Sequence, residues 1–165
     1  MRKLLYGVLF FSIFIIVSCN NKALDFNNRI AEIQSSVMPK VQVLAGKISN
    51  STDTTDVSTI GFGVEAKTLV TELKQKLNSL DSLVVPEGGE QFKKSVIDQF
   101  NFQINYFTNY SIYADTSAPQ TEKATALVEM IKQSQGADSI LNNMLTAQKA
   151  FAQKHKLQIL PEEVK

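Results

Sequence analysis

Cysteine and histidine are nearly missing: the chain holds one of each in 165 residues. A lone cysteine cannot close an internal disulfide, although exported domains of this size often use them. One histidine is too few for the usual zinc site, which draws several ligands from His and Cys. His155 stands between Lys154 and Lys156 and reads as a surface residue, not a metal ligand or base. The same scarcity counts against a Ser-His-Asp triad, and no Gly-x-Ser-x-Gly elbow is present to carry one. Gly61-Phe62-Gly63 has neither a preceding strand pattern nor the further glycine of a nucleotide loop. The adjacent carboxylates Glu162 and Glu163 follow Pro161 in a tail too loose to hold acid–base geometry. No enzyme activity, cofactor or bound metal is therefore expected.

An excess of one charge is also lacking, with 17 Lys and Arg against 16 Asp and Glu. A nucleic-acid binder needs surplus positive charge to neutralise phosphates, and no run of Lys or Arg provides it. Strict apolar–polar alternation and fixed-period repeats are absent, so neither a strand pattern nor a solenoid competes. The longest apolar run, Leu4 to Val17, is about 14 residues, against the roughly 20 that a membrane-spanning helix requires.

That run is the most informative segment present. Met1-Arg2-Lys3 supplies a charged start and Leu4 to Val17 an apolar middle, the order of a secretory signal. Ile16-Val17-Ser18-Cys19 then places branched apolar residues and a small residue before the chain's sole cysteine. This stretch resembles the lipobox of bacterial lipoproteins. The resemblance implies that the Cys19 thiol receives diacylglycerol, that signal peptidase II cuts before it, and that the new amine is acylated, with palmitate the expected chain. Cysteine suits this role because its soft, nucleophilic thiolate forms a stable thioether. Two or three acyl chains anchor stably where one would not. Loss of Arg2 and Lys3 with the leader leaves 15 basic against 16 acidic residues, a net charge of −1.

By the same resemblance, Asn20 is not the Asp that retains many lipoproteins at the inner membrane, which points to the outer membrane. Asn20-Asn21-Lys22-Ala23-Leu24 carries no acidic export tag, which favours a position facing the periplasm. The organisation expected is a signal peptide over residues 1–18, a lipidated N-terminus and short tether over 19–24, a helical domain over 25–160 and a tail over 161–165. A five-residue tether reaches at most about 18 Å, so the domain should sit close to the bilayer.

Helical periodicity dominates that domain. Phe26, Ile30, Ile33, Val37, Val41, Leu44 and Ile48 advance by three or four residues, one apolar stripe on a first helix that Pro39 should kink. Polar Ser49 to Thr59 predicts an exposed loop. A second helix carries Ala66, Leu69, Leu73, Leu77, Leu80 and Val84, stopped by Pro86 and turned by Gly88-Gly89. A third carries Phe92, Val96, Phe100, Phe107 and Tyr110, with polar Gln103 as the one gap. Ser117 and Gln120 have capping-box spacing, and Pro119 suits a first turn. The last helix, about Gln120 to Lys156, shows Leu127, Ile131, Leu141, Leu145 and Phe151, with Met130, Ile140 and Met144 alongside and a bend or break expected near Gly136. Four one-stripe helices with short joints bury themselves best as an all-α, antiparallel four-helix bundle, up-down-up-down. Hairpins pairing between chains are the alternative closure.

The third helix concentrates aromatic residues. Most read as core, but Phe102, Tyr106, Tyr110 and Tyr113 are the candidate lining of an apolar groove for a lipid, a peptide or a partner helix. Asp53-Thr54-Thr55, Asp81-Ser82-Leu83 and Asp138-Ser139-Ile140 resemble an O-glycosylation sequon of exported bacterial proteins, and the loop triplet is the best candidate. Asn27-Asn28-Arg29 and the Val85-Pro86-Glu87-Gly88-Gly89 corner loosely resemble small uncharacterised helical-bundle lipoproteins, a group that offers no catalytic residues to carry over. The expected role is a lipid-anchored protein-interaction or structural module of the bacterial envelope. Its expected partners are the membrane, through Cys19, and another envelope protein. The alternative is a binder or sensor of a small apolar ligand in the bundle interior.

Overall fold

The computed structural model describes residues 21–50 and 58–157. The signal segment, Cys19, the Asp53-Thr54-Thr55 triplet and the tail from Pro161 lie outside the described residues. Among the described residues there are five helices and no strands: α1 Asn21–Ser35, α2 Met38–Asn50, α3 Ser58–Asp81, α4 Glu90–Tyr113 and α5 Gln120–Lys154.

The helix predicted over Phe26 to Ile48 is broken, not kinked. Pro39 has no N–H to give the Ser35 carbonyl, and the chain resolves this with a turn at Ser36 and Val37. Val37 N–H bonds the Gln34 carbonyl at 3.1 Å, and α2 restarts with Pro39 in its first turn, where no N–H is needed. α1 also begins at Asn21, inside the stretch expected as tether, and buries Ala23 completely.

Cross-helix contacts establish the topology. Phe26 meets Phe92, Gln34 bonds Gln99 and Met38 accepts from Gln103, so α1 and α2 run parallel to α4. Lys40 pairs with Glu72 and Lys47 with Glu65, so α3 runs against α2. Phe26 and Phe92 both meet Phe151 near the end of α5, so α5 runs against both. With α1 and α2 counted as one interrupted rod, this is the up-down-up-down four-helix bundle expected from the sequence.

One end of the core is aromatic. Phe26, Phe92 and Phe151 form a triangle with ring centroids 6.2, 5.4 and 5.7 Å apart, two of the contacts edge-on as ring quadrupoles favour. Each such ring fully removed from water contributes about 1.5–3 kcal/mol. The α3–α4 corner closes over this end. Gly88 takes φ +76°, and a Cβ there would lie 2.8 Å from the Lys154 side chain. A Cβ at Gly89 would lie 3.1 Å from the Phe26 ring, so both glycines are required for the corner to lie flat. Lys93 reaches back from α4 to the carbonyls of Asp81 and Leu83 at 2.8 and 3.0 Å, capping the open end of α3.

Three seam assignments shift. α3 ends at Asp81, so Val84 falls in the corner and is 91% exposed, not part of a stripe. In α5, Leu127 and Ile131 are 39% and 52% exposed, while Ala126, Met130, Met144, Ala147, Phe151 and Ala152 face inward. The seam is displaced by one residue only in the first half of α5, where Ala126 and Met130 replace Leu127 and Ile131; farther along, Phe151 is buried and Leu141 and Leu145 pack against the core as their spacing predicts. α5 also runs unbroken through Gly136, where nothing crowds the missing Cβ. Gln103 is no gap: it is buried, with Nε2 donating to Met38 Sδ at 3.2 Å.

The capping box is not formed. Pro119 holds the N-cap position, and Ser117 turns instead to Asp115, donating to its Oδ1 from the backbone N–H at 3.0 Å and the hydroxyl at 2.6 Å. At the other end α5 closes with Leu157 N–H on the Ala152 carbonyl and Lys156 N–H on that of Gln153, a Schellman pair.

Candidate functional site

α2 and α3 lie antiparallel at the bundle surface and leave an apolar groove of about 480 Å³ between them. Its floor is Leu44 and Leu69, both buried, with Thr68 and Pro39 beside them. On its rims Val43 and Val64 are 60% and 67% exposed.

Charge on the two rims is segregated. Lys40 and Lys47 stand on α2 seven residues apart, two helical turns, and so share one flank. Glu65 and Glu72 repeat that spacing on α3. The two lysines reach the two carboxylates at 2.7 Å (Lys40–Glu72) and 2.9 Å (Lys47–Glu65). Lys47 also lies 5.7 Å from the centre of the Phe62 ring. The α2 rim supplies the cation and the α3 rim the anion of each pair, and the two pairs bridge the rims on either side of Leu44 and Leu69. The groove lining contains neither histidine nor cysteine. What it offers is desolvation of an apolar ridge and alignment by two opposite lines of charge.

The residues proposed from sequence as a groove are not gathered into this one. Tyr110 is buried against the core, with its hydroxyl lacking a protein partner, and burial raises its pKa, with the Tyr113 phenol adding to the effect. Tyr106 and Tyr113 are half-buried, and Tyr106 packs edge-on against Phe107 at 5.4 Å. Phe102 is half-buried on the same helix. None of the four lines the α2–α3 groove. A smaller hollow of about 280 Å³ lies between α4 and α5 at Asn109, Ile112, Thr121 and Thr125.

His155 is not a plain surface residue. It is half-buried, its ring sits 4.6 Å from that of Phe151, and Nε2 lies 2.9 Å from the Glu87 carbonyl. Lys154 pairs with the Glu87 carboxylate at 3.1 Å, and that hydrogen bond, then the Lys154 charge, lowers the Glu87 pKa. The remaining sequon triplets differ in setting: Asp81-Ser82-Leu83 is at the α3 terminus, with the Ser82 hydroxyl on the Ser79 carbonyl at 2.8 Å, and Asp138-Ser139-Ile140 is within α5.

The groove was not anticipated because it is made by residues off the main stripes. Its signal was available in Val43, beside the seam at Leu44, and in the matched charge spacing of Lys40/Lys47 and Glu65/Glu72.

Among the described residues, no helix is long and apolar enough to cross a membrane, and no group of three or more His, Cys, Asp or Glu is placed to hold a metal. No family model matches the chain, and no curated protein or solved structure matches it either.

Proposed function

We propose that this chain is a lipid-anchored, non-catalytic module of the bacterial envelope that docks another protein on its α2–α3 face. The observation that carries the docking reading is the groove, an apolar channel with Val43 and Val64 largely in solvent and opposite charges on its rims. An apolar groove rimmed by polar groups suits an apolar ridge on another protein. The anchor reading rests on the lipobox-like Ile16-Val17-Ser18-Cys19. The two fit physically: a membrane tether raises local concentration, so a groove of modest area can still be occupied. An outer-membrane position facing the periplasm remains part of the proposal.

A crosslinker placed at Val43 in the full chain, expressed with and without Cys19→Ser, tests it. Expected are fatty-acid incorporation and membrane fractionation that vanish with Cys19→Ser, and a discrete protein adduct at Val43. Unaltered fractionation of Cys19→Ser would overturn the anchor. A Val43 labelling pattern identical to that of an exposed α5 position would overturn the docking face.

A further inference from the structure

We infer that the partner on the α2–α3 face is a second copy of this chain, related by a two-fold axis parallel to the helices. The inference deepens the docking reading above by naming the partner, and it rests on charge geometry. α2 carries Lys40 and Lys47 and α3 carries Glu65 and Glu72, paired within the chain as Lys40–Glu72 and Lys47–Glu65, so at each of two heights the face presents a cation on the α2 side and an anion on the α3 side.

Two copies can meet face to face across this groove about either of two in-plane two-fold axes. An axis perpendicular to the helices sets α2 against α2, lysines facing lysines, and α3 against α3, carboxylates facing carboxylates. An axis parallel to the helices sets the α2 of each copy against the α3 of the other and preserves height. Lys40 of one copy then faces Glu72 of the other, and Lys47 faces Glu65. Only the second arrangement is charge-matched, and it buries Val43 and Val64 of both copies. Exposed ion pairs add little energy by themselves, so the apolar channel drives association and the charges select its geometry.

A parallel axis also points both copies the same way. α1 begins at Asn21 in each, two residues after Cys19 in the sequence, so both chains enter the seam from the same end. Two copies anchored through Cys19 in one membrane can therefore form this pair without either turning over.

The interface is small. α2, with 13 residues, spans about 20 Å, and two helices are about 20 Å wide, which gives roughly 400 Å² on each copy. A stable pair in solution buries about 800 Å² per partner. Pairing is accordingly expected between tethered copies and not in dilute solution.

The test uses full-length chains co-expressed in the envelope under two tags, one carrying Val43→Cys and the other Thr68→Cys, which the parallel axis brings to the same level on facing helices. A disulfide between the two tags is expected, stronger than that of Val43→Cys chains with each other. Lys40→Glu with Lys47→Glu makes both rims acidic, and Glu65→Lys with Glu72→Lys makes both basic. Either double reversal should lower the cross-link about ten-fold or more when present in both copies. Mixing an acidic-rimmed copy with a basic-rimmed one should restore it, a rescue that impaired folding of either variant cannot produce. Persistence of the cross-link after reversal, no rescue on mixing, or preferential Val43-to-Val43 linkage overturns the pair. If Val43 instead captures a different protein while the copies stay apart, self-pairing fails and the docking reading stands. If it captures nothing, both fail.

Discussion

His155 Nε2 donates to the Glu87 carbonyl at 2.9 Å, tying the last turn of α5 to the α3–α4 corner. A carbonyl only accepts, so the proton is on Nε2 whatever the charge of the ring. The ring also packs on Phe151, so one side chain joins the aromatic end of the core to the turn that covers it. Removing it as His155→Ala should destabilise the fold by roughly 1–2 kcal/mol in urea unfolding, from the lost hydrogen bond and ring contact together. His155→Phe, which keeps the stack and loses the bond, should fall between.

At the next residue, Lys156 takes φ +54°, the left-handed conformation that closes the Schellman pair. A side chain is strained there, and glycine is not. Lys156→Gly should stabilise the protein by roughly 0.5–1 kcal/mol, the relief of strain being partly offset by the greater freedom of glycine in the unfolded chain. A lowered thermal midpoint would contradict this.

Asp115 titrates well below the ordinary carboxyl range, at about 2 against 3.8, chiefly because the Ser117 hydroxyl and then its N–H bond the charged form, with Lys67 adding less. A carboxyl whose pKa is lower in the folded state stabilises the fold above its unfolded value. That contribution is lost as pH falls through the folded value. The acid limb of stability should therefore carry a component between about pH 4 and pH 2 that Asp115→Ala abolishes. In an NMR titration of the Asp115 carboxyl, Ser117→Ala should raise the midpoint more than Lys67→Ala does. The reverse order would contradict the assignment of cause.

Asn27 is 1% exposed, and neither its Oδ1 nor its Nδ2 has a protein partner. A buried amide in that state costs stability, whereas an apolar group of like size does not. Asn27→Leu should raise stability by about 1 kcal/mol. Asn27→Ala, which leaves a void, serves as the control. Destabilisation by leucine equal to that by alanine would show that the amide is satisfied.

How far the sequence reveals the fold depends on how sharply each helix contrasts its faces. Phe92, Val96, Phe100, Phe107 and Tyr110 are all buried as their spacing predicts, because large side chains mark one face of α4 without ambiguity. α5 misleads for the opposite reason. In its first half Ala126, which carries little hydrophobic contrast, faces inward while Leu127, Val128 and Ile131 point outward; only toward Met144 and Phe151 do large side chains mark the buried face. Pro39 marked the right place in the first rod and the wrong outcome, since the consequence of a missing N–H depends on whether a turn can form locally. The groove was less legible still. It exists only when two outer flanks, 25 residues apart at Val43 and Thr68, come together, and no single-helix periodicity carries that information.

The interruption at Ser36 and Val37 makes the first rod tolerant in a way the others are not. An extra residue inside a continuous helix turns everything beyond it by about 100°, carrying buried side chains into water. Inserted between Ser36 and Val37, one alanine meets a turn that can lengthen, and the rotation need not pass into α2. Inserted between Leu73 and Lys74 it has nowhere to dissipate. Circular dichroism should find the first variant folded and the second largely melted, so the break acts as a phase joint that lets the charged rim of α2 keep its register with α3.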